Sequence, residues 1–502
     1  MKRFLWLGFV LFLYLICTGC GDTFRPIIIP NPPTFPNPAA AHTVVSINDN
    51  GTFVPGSAMV IDVAGDSDVS IANSDIHPVH AVQQTAGQVL VVNQAVTQAA
   101  TGQVLGTTSC LVPFPAPPAP AQYVYDVCPT ITKLSFSGTT ISSTSSISLP
   151  IYSSPNFVAV APSDTLAYVT LPTYPPDPTQ PLVIVPSVGV VNTQTNSLVP
   201  PTIPVGNNPY ALAVTPDKNN LYVANQGDGT ISAFNTVDRS ARTVKGALTF
   251  APIWLVARSD SQRVYVLEQT SGTLASIDTT STAGPDTLTE SSISVPTAVK
   301  MTYDSNLLRL YIPGESLVPV NGVPVLESAV VIVDVSQSTP STIATIPITA
   351  IPPASRSAGD PCSTTSTATL NNVDVAALPD GSRAYVGSYY EDTSGTICPQ
   401  VTVINAVSNT FKTSIAIPGF AAYDAFCSPL QAQQAPRFRI MMAAGGDSSR
   451  AYLSSCDGGN VNVINTSTDT YILNQPAPIS SRTVTGSTLN PPQNPVFLFA
   501  GP

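Results

Sequence analysis

Charge is scarce in this chain. Asp, Glu, Lys and Arg make up only 10% of its 502 residues, where roughly 25% is usual in a soluble domain. Segments that combine a helical period with Glu, Lys, Leu and Arg are almost absent, which argues against a helical architecture. No run of Lys or Arg occurs beyond Lys2-Arg3, and the formal net charge is -11. A phosphate backbone needs a clustered basic face, so nucleic acid is not an expected partner. There are three histidines, His42, His77 and His80. In an extended segment the His77-Pro-Val-His80 spacing sends the two rings to opposite faces, so no metal role is expected. The chain also lacks a Gly-x-Ser-x-Gly elbow, a phosphate-binding Gly-rich loop and a His-Glu-x-x-His pair, and no catalytic residue is assigned.

What the chain has is strand and turn chemistry: Val, Thr, Ser, Ala and 50 prolines. β-branched residues alternate with small polar ones from about Thr43 to the C-terminus, the pattern of an all-β protein. Ahead of them, Lys2-Arg3 and the apolar run Phe4 to Ile16 form the charged and hydrophobic regions of a secretory signal, too short to span a bilayer. The run ends in Cys17-Thr18-Gly19-Cys20, which resembles the bacterial lipoprotein signal. That resemblance implies a signal peptide over 1–19 and lipidation of Cys20. It makes the chain an exported protein anchored in the cell envelope, touching the membrane through its lipid only. Removal of the signal takes two of the 19 basic residues and no acidic one, leaving 17 against 30, a charge of -13. Residues 20–42 are proline-rich and nearly uncharged, which favours an extended, semi-rigid stalk.

Residues 43–502 repeat themselves. An Asp in a first turn is followed by a strand centred on Tyr at Asp164/Tyr168, Asp217/Tyr222, Asp260/Tyr265, Asp304/Tyr311, Asp380/Tyr385 and Asp447/Tyr452. A later strand ends in a short polar residue at Asp62, Ser135, Asn192, Asn235, Asp278, Asp334, Asn405 and Asn465. Such a unit is an antiparallel meander that cannot cover its own faces, so neighbouring units must stack in a ring. Tyr222-Val-Ala-Asn225, Val401-Thr-Val-Ile-Asn405 and Val461-Asn-Val-Ile-Asn465 resemble the YVTN repeat family, within the lactonase-like propeller superfamily. The resemblance implies a single β-propeller of four-stranded antiparallel blades. The count is eight, or seven if one weak unit is set aside. The C-terminal Asn494 to Pro502 resembles a first strand without its continuation. Thr43–Asn48, Met59–Val63 and Asp68–Ala72 resemble three strands without a first, so one blade is expected to be closed from both termini, leaving no open sheet edge. The repeated Asp and Asn are read as turn-formers and the repeated Tyr as packing on a half-buried strand face.

Residues that recur in every blade are scaffold, so function should lie where the repeat is interrupted. With strands named A to D in each blade, the long insertions are 97–122, 171–186, 313–327 and 389–399 between B and C, and 351–370 and 420–437 between D and A. All fall on one rim. Six cysteines beyond Cys20 make an even number in an exported chain, and the pairs Cys110–Cys128, Cys362–Cys398 and Cys427–Cys456 are expected to pin that rim. The same rim carries Asp177, Asp228, Glu268, Glu315, Glu391, Asp392 and Asp457 together with Tyr174, Tyr389 and Tyr390, a candidate binding face. The expected function is a non-enzymatic envelope propeller, a monomer without cofactor, presenting this rim to a protein or glycan partner. The alternative is a lactonase-like hydrolase that uses the carboxylates, with Ca²⁺ as the one cofactor such oxygen ligands would suit.

Overall fold

In the computed structural model, residues 43–501 are described except 51–54, 99–102, 105–123, 126–128, 175–182, 364–369, 422–426, 428–437, 473–478, 481–493 and a few gaps of one or two residues. The signal region, Cys20, the stalk, Cys110, Cys128 and Asp177 lie outside the described residues, as do most of the insertions 97–122 and 420–437 and half of 171–186.

Eight antiparallel sheets of four main strands stand in a ring. Blade 1 takes its inner strand from the C-terminus: Asn494–Ala500 pairs with Thr43–Asp49, followed outward by Pro55–Asp62 and Ser67–Ile76. The next seven inner strands are Pro78–Thr85, Val158–Val160, Pro209–Val214, Pro252–Ala257, Thr302–Asp304, Asn371–Ala377 and Ile440–Ala444. The chain therefore closes its ring from both ends, as its terminal half-units implied. The B strands are buried almost throughout, whereas the outermost strands are largely exposed, as in the Ser- and Thr-rich Thr140–Ser148.

The repeated turn residues do what their chemistry allows. Asp217 Oδ1 accepts the Asn219 N–H at 3.1 Å, Asp380 Oδ1 that of Ser382 at 2.8 Å and Asp447 Oδ1 that of Ser449 at 2.9 Å. At the C–D turns Asn192, Asn235, Asp278, Asp334, Asn405 and Asn465 each accept an N–H two residues on. These bonds close the hairpins locally.

The repeated tyrosines are deeper than expected. Tyr168, Tyr222, Tyr265, Tyr311, Tyr385 and Tyr452 are all buried, not half-buried, because the next blade covers them. Several use the phenol to rivet blades together. Tyr222 Oη donates to Asp286 at 2.9 Å and Tyr385 Oη to Asp469 at 2.6 Å, each acceptor lying in the following blade. Tyr452 and Arg450 of blade 8 both reach Asp66 of blade 1, the arginine at 2.9 Å, so the junction that joins the ends of the chain is charge-assisted. Arg242 backs Asp286 at 2.5 Å. Burial and the adjacent carboxylates push these phenols far above the usual tyrosine range.

Two insertions differ from the expected loops. The segments 313–327 and 389–399 continue as regular hairpins, Arg309–Val320 with Val323–Asp334 and Arg383–Glu391 with Thr396–Asn405. Their alternation of β-branched residues runs on past the rim, and a short turn closes each. Cys398 accordingly sits in a strand. It bonds Cys362, at Cα–Cα 5.7 Å, in the 3₁₀ turn Pro361–Ser363. Cys427 and Cys456 are joined one blade later. Two of the three expected disulfides are therefore formed, and the third lies outside the described residues. Disulfides belong to oxidising compartments, which marks an exported chain.

Candidate functional site

A recurrent word opens or closely precedes five of the inner strands. Pro78-Val-His80, Pro155-Asn-Phe157, Pro252-Ile-Trp254, Pro436-Arg-Phe438 and Pro495-Val-Phe497 each place an aromatic ring two residues after a proline. Proline suits the first position of a strand because it has no N–H to leave unpaired in the ladder. In blades 1, 2 and 5 a register shift follows: Pro252 stands opposite Glu268 but Trp254 opposite Leu267, and Pro78 opposite Asn93 but His80 opposite Val92. Such a bulge re-aims the side chain after it, here toward the ring axis.

The five rings meet there. His80 stacks on Phe157 with centroids 3.8 Å apart and meets the edge of Phe497 at 4.6 Å. Phe157 meets Trp254 at 5.6 Å, and Trp254 meets Phe438 at 6.1 Å. Trp254 belongs to blade 5 and Phe438 to blade 8, which are not neighbours, so their contact crosses the middle of the ring. The axis at this level is an aromatic core. Trp254 is only 7% exposed.

One ion pair accompanies the rings. Lys300 Nζ lies 2.7 Å from Asp374 Oδ1 and within 5.7 and 5.8 Å of the Trp254 and Phe438 centroids. The other Asp374 oxygen accepts the Met442 N–H at 3.0 Å. The carboxylate and the two ring faces together compensate the half-buried ammonium. Burial, then the nearby Lys300 charge, pulls the His80 pKa down to about 3, so its imidazole is neutral. Its Nδ1 accepts the Val158 N–H at 3.4 Å. Among the described residues, the charges of this core, Lys300 and Asp374, are matched to each other.

The predicted rim residues divide into three groups. Arg439 gathers Glu391 at 2.8 Å, Asp457 at 3.3 Å and the ring of Tyr389 at 5.7 Å. The structure thus brings three of the candidates together, but Tyr389 and Asp457 are buried and only Glu391 is exposed. Tyr390 is fully buried under Arg356, 5.6 Å from its ring, and Asp392 closes its hairpin turn by accepting the Thr396 N–H at 2.7 Å. Asp228 is exposed and holds Asn207 through both its backbone and side-chain N–H groups. Glu315 and Tyr174 are partly exposed. Among the described residues, no group of three or more His, Cys, Asp or Glu is placed to hold a metal ion.

Glu268 stands apart. It ends a B strand, is fully buried, and accepts the Phe250 N–H at 2.9 Å through Oε2. Burial, then a hydrogen bond to Glu290, raises its pKa to about 7, while Thr249 holds Glu290 ionised.

The sequence reasoning missed the axial aromatics. The Pro-x-aromatic word was legible five times, and an apolar ring repeated at one register of the innermost strands is the signal that could have found them.

A model of the family described as Lactonase, 7-bladed beta-propeller matches residues 187–303, from the C strand of blade 3 into blade 6. The resemblance to lactonase-like propellers is upheld over that stretch, and the ring here has eight blades. No curated relative matches the chain significantly. Apo AztD from Citrobacter koseri is similar in structure at 9% identity and a TM-score of 0.49, over 91% of this chain and 96% of that one. The periplasmic gluconolactonase PpgL of Pseudomonas aeruginosa follows at 10% and 0.41, over 90% and 96%. A putative 6-phosphogluconolactonase from Bacteroides fragilis gives 10% and 0.43, over 83% and 99%.

Proposed function

We propose that this is a non-enzymatic binding propeller of the cell envelope, exported by its N-terminal signal, anchored through Cys20 and monomeric, whose B–C/D–A rim is its contact surface for a protein or glycan. The observation that carries the reading is the contrast between axis and rim. Among the described residues, the axis at the start of the inner strands is filled by rings and a self-compensated ion pair. The rim exposes apolar side chains from several blades: Val183 and Ile184 in blade 3, Phe250 ahead of blade 5 and Leu317 in blade 6, exposed by 54, 46, 42 and 64%. Exposed apolar groups clustered on one surface favour contact with a partner. The disulfides of blades 7 and 8 stiffen the same rim.

The test is site-specific photo-cross-linking in the native envelope. A photoreactive residue at Phe250 should yield a discrete adduct, whereas one at Val237, exposed on the opposite rim, should not. Equal labelling from both positions refutes the reading.

The lactonase-like reading has one specific support, the buried Glu268 with its raised pKa, within the matched segment. A base with a pKa near 7 would give lactone hydrolysis that rises with pH through about 7. Glu268 is fully buried, however, so a substrate would have to displace the Phe250 segment to reach it. Hydrolysis of an aldonolactone by the wild type that is abolished by Glu268→Gln would establish this reading over the first.

A further inference from the structure

The B–C hairpin of blade 6 outgrows its sheet. The D strand Ser341–Pro347 accompanies it only as far as Ala329, opposite Pro347, and beyond Ser328 the hairpin continues as a two-stranded ribbon. The eleven residues between Glu315 and Glu327 carry no charge. An isolated two-stranded ribbon is at best marginal in water, and this one exposes Leu317, Val323, Val325 and Leu326 by 64, 62, 40 and 48%.

Three properties bear on what covers it. First, the ribbon is apolar on both faces. Leu317 stands opposite Leu326 and Val318 opposite Val325, and successive pairs point to opposite sides, so neither face is a polar back turned to water. A docked protein covers one face; a fluid apolar medium covers both. Second, the edges are blunted. Pro319 stands opposite Pro324 in a non-hydrogen-bonded pair whose N–H positions face outward, as that of Glu315 does, so each outer edge lacks a donor there. This disfavours strand addition by a partner and lowers the cost of leaving water. Third, Glu315 and Glu327 flank the ribbon's base, one per strand, and no basic side chain lies between them in sequence. That pattern suits neutral headgroups and not anionic ones.

We infer that this finger dips into the headgroup–acyl boundary of a neutral lipid bilayer. From Leu317 to the turn it spans about 13 Å at ~3.3 Å per residue, enough for the roughly 5–10 Å insertion of an interfacial element. The two glutamates stop it at the surface. This inference rests on reading the B–C/D–A rim as the contact surface and adds a lipid to what that rim meets.

The test is flotation with phosphatidylcholine vesicles. It uses the chain from residue 20, which keeps all eight blades, with Cys20→Ser so that no acyl anchor forms. The wild-type finger should carry protein to the top of the gradient, undiminished by 1 M salt because no charge is used. Leu317→Asn with Leu326→Asn should lower partitioning at least about tenfold. Val237→Asn with Val407→Asn, exposed on the opposite rim, should not change it. Unchanged Trp254 emission in both variants certifies their fold. Failure of the wild type to float, or flotation indifferent to the finger, overturns the inference. A partner cross-linked at Phe250 without flotation would overturn the lipid contact alone and leave the partner-binding reading standing.

Discussion

At the scale of single residues, burial outweighs ordinary solution behaviour, and two side chains make this measurable. His80 is neutral in the fold with a pKa of about 3, against about 6.5 unfolded. Between those values the unfolded chain binds the extra proton, so stability rises with pH over this window and is lost as pH falls from about 6.5 toward 3. We expect His80→Phe to flatten the acid limb of a plot of thermal midpoint against pH while leaving the midpoint above pH 7 little changed. An unaltered acid limb would contradict the placement of His80 in the aromatic core. Glu268 has the opposite sign. Its folded pKa of about 7 lies above the unfolded value, so its destabilising contribution grows as pH rises from about 4.5 to 7. Glu268→Gln keeps a donor for Glu290 and cannot ionise. Its thermal midpoint relative to wild type should be higher at pH 8 than at pH 5, by about 1–3 °C.

Among the elements, the disulfides and the bulged inner strands do different work. The bulges aim rings at the axis, and the disulfides tie D–A connections to the B–C side of the blade that follows. Cys362–Cys398 and Cys427–Cys456 close segments of 36 and 29 residues, a span for which loop-closure arguments give about 3–4 kcal/mol each. Replacing Cys427 and Cys456 by Ala should lower the thermal midpoint and speed amide exchange around residue 456, with no change in the inner strands at Trp254. A uniform rise in exchange over all eight blades would mean that the bridge supports the ring as a whole.

Over the whole molecule, the repeat made the architecture legible. Asx turns and a buried Tyr recur because every blade solves the same covering problem, and a half-unit at each terminus implies the closure that Asn494–Ala500 and Thr43–Asp49 make. The site was less legible. The rim candidates were chosen by loop length and charge, yet Tyr390, Asp457 and Glu268 are drawn inward because Arg356, Arg439 and the Phe250 amide offer partners there. Loop length says nothing of such pairings, which depend on where each strand end and connection carries its side chains. Continuation of a hairpin past its sheet was equally hidden, since 313–327 reads as a loop until its register is known.

The proposed function depends on a filled axis, and one residue reports on that axis directly. The chain holds two tryptophans, Trp6 and Trp254, so in the chain from residue 20 all tryptophan fluorescence comes from the axis. A filled axis predicts a blue-shifted emission that acrylamide barely quenches. A red-shifted emission, quenched as readily as free tryptophan, would show an open, water-filled channel and contradict it.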